Sequence, residues 1–167
     1  MKLVYDSGDF ANTAETAQAL ATYAAKGAAP ANLRAEAINT LADWPKASGR
    51  DRVTGMWRPV ASAREAKHPA DALRPAITEL LRQAPDAVRV AAVQAADRLQ
   101  LTEALGALRD IAGDQKAGAN VRVAALRALA GLSDDKLADY LNVAGHDGSS
   151  EVRQEAIQTP RRNHFRS

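Results

Sequence analysis

The feature that most constrains this chain is a pattern written twice between residues 86 and 132. Asp86-Ala-Val-Arg-Val-Ala-Ala-Val-Gln-Ala-Ala-Asp-Arg-Leu99 returns as Ala119-Asn-Val-Arg-Val-Ala-Ala-Leu-Arg-Ala-Leu-Ala-Gly-Leu132, which sets Arg89 and Arg122 33 residues apart. A unit of that length is one helical hairpin. It is too small to bury its own apolar face and must stack on its neighbours. Composition agrees: 46% of the residues are hydrophobic but only 4% aromatic. Alanine is the best helix former and lets helices approach closely, whereas a β-sandwich would need more β-branched and aromatic residues. The expected fold is all-α, an α-solenoid of stacked antiparallel helix pairs with about four repeats, a right-handed stack and one inserted loop.

Apolar spacing of three and four predicts helices near 13–26, 31–43, 72–83, 87–99, 102–113, 119–131, 135–144 and 150–158. Asn12 or Thr13 is expected to cap the first, Asp86 the fourth and Asp134 or Asp135 the seventh. Asn32-Leu-Arg-Ala-Glu-Ala-Ile-Asn-Thr-Leu41 is a weaker copy of the central pattern, with Arg34 in the Arg89 position. Ser150-Glu-Val-Arg-Gln-Glu-Ala-Ile157 is a further copy, with Arg153 31 residues after Arg122. Arg34 and Arg89 are 55 residues apart, so 22 extra residues lie between the first pair and the regular part. The chain therefore reads as one domain, 1–167. It comprises an N-terminal pair (12–45), an inserted loop (46–69, with a short helix at 61–67), regular repeats (70–158) and a polar tail (159–167). Pro75 is expected in the first turn of the 72–83 helix, and Pro160 is expected to end the last helix.

The cap, the Val-Arg pair, two small residues and a Leu/Val stripe stand as Asp86/Val88/Arg89, Asn120/Val121/Arg122 and Ser150/Val152/Arg153, with Leu33/Arg34 as a degenerate fourth. In these residues the chain resembles the HEAT-repeat family, in the variant seen in bilin-lyase-type HEAT proteins, over about residues 12–158. That resemblance implies a binding surface for proteins or for a neighbouring domain of a larger parent chain. The stretch Arg50-Asp-Arg-Val-Thr-Gly-Met-Trp-Arg-Pro59 is similar to the HEAT region of large exported bacterial proteins with sugar-dehydrogenase-like and c-type cytochrome domains. On that resemblance the chain would be a connecting module of such a protein. This sequence has no Cys-x-x-Cys-His and no propeller repeats, so neither haem nor dehydrogenase chemistry carries over.

The charged residues divide into structural and functional candidates. Arg34, Arg89, Arg122 and Arg153 form a ladder whose planar guanidinium groups suit partly buried pairing with acceptors in the neighbouring repeat. Arg50, Arg52, Trp57 and Arg58 combine aromatic and Arg residues within the insertion, the composition of binding hot spots. They are the candidate partner-binding residues. At least one of Trp44 and Trp57 is expected to pack against the first helices.

His68, His146 and His164 fall in expected loops or the tail without a metal-ligand spacing. With no cysteine, thiolate zinc sites and thiol catalysis are excluded. The usual short catalytic motifs are missing as well. The expectation is a non-enzymatic scaffold with no cofactor and no metal. Net charge is only +2, and the regular part is slightly acidic, whereas a phosphate-tracking groove would carry a basic stripe. Nucleic acid is the alternative partner. The N-terminus turns polar too early for a signal peptide, and no apolar run is long enough to span a bilayer. These features leave a cytoplasmic location as the default, or export if the chain derives from the exported parent family.

Overall fold

The structure, a computed structural model, describes residues 14–46 and 67–163, with side chains over 14–45 and 67–160. These residues form α1 (Ala14–Ala25), α2 (Ala31–Ala42), α3 (Lys67–Leu73), α4 (Ile77–Gln83), α5 (Asp86–Arg98), α6 (Leu105–Gly113), α7 (Ala119–Gly131), α8 (Leu137–Ala144) and α9 (Ser150–Asn163). Single 3-10 turns lie at Trp44–Lys46 and Thr102–Ala104. No strand occurs among the described residues, and the fold is an α-solenoid.

Two layers make up the stack. The second helices of the pairs, α2, α5, α7 and α9, pack side by side in that order, and α4, α6 and α8 line up behind them as first helices. Small residues make this possible. Ala17, Ala21 and Ala24 of α1, Ala91, Ala92, Ala95 and Ala96 of α5, and Ala125 and Ala128 of α7 are all buried. Larger side chains fill the gaps between layers: Ile38, Leu41, Val88, Leu108, Val121 and Leu129 have no exposed surface. Burial of Val88, Ala92, Leu99, Val121, Ala125, Leu129 and Leu132 follows from the repeat register, because five lie on the inner stripe of a second helix and Leu99 and Leu132 are the residues that close α5 and α7.

Four features differ from the sequence-based expectation. First, the expected 72–83 helix is two short helices, α3 and α4, broken at Pro75. Proline disfavours helical backbone in the residue before it and donates no hydrogen bond. The chain turns there, with Ala76 N–H on the Leu73 carbonyl (3.0 Å). Second, Lys67–Pro69, expected at the end of the loop, are the first turn of α3, with Pro69 buried. Helix α3 packs against α1, so the last part of the insertion joins the stack. The rest of the short helix expected at 61–67 lies outside the described residues. Third, α9 runs through Pro160 to Asn163. The preceding turn is held by Thr159, buried, whose Oγ1 donates to Glu155 Oε1 (3.1 Å). A proline so close to the helix end removes one bond without breaking the remainder.

Fourth, α2, α5 and α7 do not start on side-chain caps. The N-cap residues of α2, α5 and α7 are Pro30, Pro85 and Gly118, with extended backbone and no side-chain cap bond. Asp86 is instead the first residue of α5, where its charge complements the helix dipole. Asp134 and Asp135 precede α8, which starts at Leu137. The Asn12/Thr13 cap lies outside the described residues.

Two second helices end alike. After α5, Leu101 N–H reaches the Ala96 carbonyl (2.9 Å) and Gln100 N–H the Asp97 carbonyl; after α7, Asp134 N–H reaches Leu129 and Ser133 N–H reaches Ala130. Gln100 and Ser133 both have φ 54°. This is the Schellman closure, at the position usually given to glycine. Ser133→Gly is therefore expected to stabilise the chain by about 0.5–1 kcal/mol, relief of left-handed strain outweighing the flexibility gained by the unfolded chain. Ser133→Ala should give no gain. A urea midpoint that does not rise for Ser133→Gly would refute this.

Candidate functional site

Each second helix is tied to the segment before it by the arginine ladder. Each ladder arginine is the fourth residue of its helix. The backbone N–H groups of Arg34, Arg89 and Arg122 bond the carbonyls of Pro30, Pro85 and Gly118, which closes the first turn. Their side chains then turn back to the preceding segment. Arg34 Nε donates to Ala24 O (2.7 Å), Arg89 Nε to Leu81 O (2.9 Å) and Arg122 Nε to Ala117 O (3.1 Å). Arg153 Nη1 donates to the carbonyls of Asp147 and Gly148.

These acceptors lie in the same hairpin, not in the neighbouring repeat as the sequence suggested. The reason is local: carbonyls at a helix C-terminus and in the following turn lack helical donors, and they are the nearest acceptors to this position. Among the described residues, Arg122 is the ladder arginine that also crosses to the next pair, through Nη1 to Asp147, and both side chains of this ion pair are 8% exposed. Arg89 adds only Asp86 of its own helix (3.3 Å).

Other ion pairs also join successive repeats, the most enclosed of them around Asp134. Arg109 of α6 binds Asp134 through Nε (3.0 Å) and Nη2, and Asp135 through Nη2 (2.7 Å). Asp134 occupies the position that Leu101 fills one repeat earlier, and its side chain has no exposed surface. Hydrogen bonding from Arg109, helped by Lys136 N–H and opposed by burial, holds its carboxyl down to about 2. An unfolded aspartate titrates near 3.9, so between these values the unfolded chain binds the extra proton. The stabilisation is complete above about pH 4 and disappears as pH falls through about 2. Asp134→Asn should flatten the acid limb of stability between those pH values, measured as urea midpoints. An unchanged slope would contradict the assignment.

With the ladder facing the first helices, the residues one and five positions further along each second helix face the opposite way. Val90 and Gln94 of α5, Val123 and Arg127 of α7, and Gln154 and Gln158 of α9 line one shallow groove of about 470 Å³, joined by Asn120, Ala124, Glu151 and Glu155. Gln94, Asn120, Arg127 and Gln154 are exposed, whereas Glu155 is buried. Arg127 Nη2 bonds Glu155 Oε2 at 2.6 Å, and this hydrogen bond raises the arginine pKa further. The groove thus offers amide donors and acceptors over an apolar floor, with one arginine against two glutamates. It lacks the basic stripe and aromatic platforms that track a nucleic-acid backbone.

Arg50, Arg52, Trp57 and Arg58 lie outside the described residues. Trp44 is buried in the core at the turn after α2. His68 sits half-buried in the first turn of α3, His146 Nδ1 lies 3.0 Å from the Asn142 carbonyl, and His164 is outside the described residues. No group of three His, Cys, Asp or Glu side chains suited to a metal ion occurs among the described residues. Nor is any helix among them long and apolar enough to cross a membrane. The groove residues escaped sequence reasoning because polar residues on a helix read as a solvated face. The available signal was their fixed offset from each ladder arginine.

The family model for HEAT repeats matches residues 73–159. No curated protein and no solved structure matches the chain.

Proposed function

Because the chain belongs to the HEAT-repeat family, whose members are generally protein-interaction scaffolds, we propose that it is a non-catalytic scaffold that binds a polypeptide along its second helices. The observation that carries this reading is the groove across α5, α7 and α9. It repeats the same register in three successive hairpins, which suits an extended ligand with its own regular spacing. Exposed amides such as Gln94, Asn120 and Gln154 can donate to and accept from a peptide backbone, which has both groups at every non-proline residue. Glu155, the buried carboxylate of the groove, is engaged by Arg127 and Thr159, a structural use of the group. The suggestion that the partner is a neighbouring domain of a larger exported bacterial protein belongs to this same proposal and rests on the sequence of the insertion.

Photocrosslinking from position 94 or 154 in cells tests it. The expected products are adducts that protease removes and nuclease does not, and filling the groove with Ala124→Trp should abolish them. Nuclease-sensitive adducts, with binding that falls steeply as salt rises, would transfer the groove to a nucleic acid instead.

A further inference from the structure

We propose that the α8–α9 pair is a charge-latched module, docked on α6 and α7 through three carboxylates, and that neutralising them detaches it ahead of the rest of the stack and removes the α9 wall of the groove. Asp134, Asp147 and Glu155 are the buried carboxylates among the described residues. All three belong to the last pair: Asp134 stands just before α8, Asp147 in the α8–α9 turn and Glu155 within α9. Each is bound by an arginine of the preceding pair, Arg109 of α6 for the first, Arg122 and Arg127 of α7 for the others. The last pair is thus fastened at its entry, at its turn and along α9. Apolar packing there is thin. Helix α8 buries just Ala144, and α9 buries Val152 and Ala156. The pair at the other end, α1 and α2, buries five alanines with Ile38 and Leu41, and no carboxylate among its described residues. The ion pairs Arg82–Asp110 and Arg98–Asp43, which join earlier pairs, lie at the surface, where such pairs contribute little. Removing one charge of a buried pair, by contrast, strands the other.

The groups around each carboxylate make its charge the fastening. Asp134 meets Arg109 and accepts the Lys136 N–H, while Asp135 and Tyr140 act on the same guanidinium. Asp147 meets Arg122, accepts the Ser149 N–H and offers its backbone carbonyl to Arg153. His146 beside it turns to the Asn142 carbonyl. Glu155 takes Arg127 Nη2 (2.6 Å) and the Thr159 hydroxyl (3.1 Å), with Glu151 exposed one turn earlier. A proton on any of the three leaves an arginine facing a neutral acid, and Arg122 is itself buried. With the Asp134 carboxyl held down to about 2, its part of the latch is complete above about pH 4 and is lost as pH falls through about 2. Release takes away Glu151, Gln154, Glu155 and Gln158, the α9 side of the groove. That consequence for a ligand rests on the scaffold reading above; the latch itself does not.

Amide exchange of the full chain, read helix by helix, tests the latch. In the triple variant Asp134→Asn, Asp147→Asn, Glu155→Gln at pH 7, protection of α8 and α9 should fall about a hundredfold while α2 and α5 keep theirs. Adding Arg122→Met should restore part of it, because one stranded charge is then gone. The unaltered chain taken from pH 5 to about 2.5 should lose protection in the same order, after correction for the intrinsic exchange rate. Asp43→Asn with Asp110→Asn, which neutralises the surface pairs instead, should leave the profile unchanged. Loss of protection along the whole stack at once, or undiminished protection of α8 and α9 in the triple variant, would overturn the proposal. Photocrosslinking from position 94 reads the groove in parallel. Adducts should vanish in the triple variant and partly return with Arg122→Met; adducts that persist while α9 exchanges freely would refute the regulation. If the unaltered chain gives no adducts, the ligand reading fails, and the exchange profile still decides the latch.

Discussion

Arg122→Ala is expected to cost about 3–5 kcal/mol, the range for breaking a buried ion pair by removing one partner. The truncation leaves the Asp147 carboxylate, 8% exposed, without its guanidinium and deprives the Ala117 carbonyl of its donor. Against a total stability of about 5–15 kcal/mol for a domain, that is enough to unfold a substantial fraction of the chain. The same substitution at Arg153, which is exposed and bonds turn carbonyls, should cost less than about 1 kcal/mol. Arg122→Met combined with Asp147→Asn should recover much of the loss. No isolated charge is then buried, and the amide oxygen of the new side chain can still accept the Ser149 N–H that Asp147 accepts now (2.7 Å). Urea midpoints of these variants and the unaltered chain would decide the matter. If Arg122→Ala left the midpoint unchanged and abolished partner binding, this arginine would be a binding residue and not a structural one.

Trp44→Ala should be nearly as damaging, at about 3–5 kcal/mol for deletion of a buried aromatic side chain. Trp44 is 1% exposed and belongs to the core cluster, in the 3-10 turn that follows α2. In a stack each repeat leans mainly on its neighbours, so the loss should be felt first near the cavity. Amide exchange should accelerate in α1 and α2 and change least in α7 and α9, at the far end. Uniform acceleration along the whole stack would show instead that the first pair and the regular repeats open as one unit.

The repeat was legible in the sequence because stacking forces the same residue types onto the same face at a fixed interval. Val88 and Val121, the alanines that follow them and Leu99 and Leu132 could be assigned to the core from their spacing alone. Membership of the family rested on that same pattern. Turn and break positions were less legible. A proline near a helix end can sit in a first turn, as Pro69 does in α3, break a helix, as Pro75 does, or be carried through, as Pro160 is. Which outcome holds depends on neighbouring packing and on which carbonyls find other donors.

The sequence by itself determined that the chain is all-α, that it is built of stacked pairs, and which residue in each second helix belongs to the ladder. Periodicity records burial, and burial is common to all repeats. Tertiary structure decided what each copy of a position does. Arg122 and Arg153 share one motif, yet one is locked to Asp147 in the interior and the other lies on an open end. Leu126 and Ile157 differ in the same way. A motif specifies the side chain, whereas its exposure and partner come from whether another hairpin lies above it.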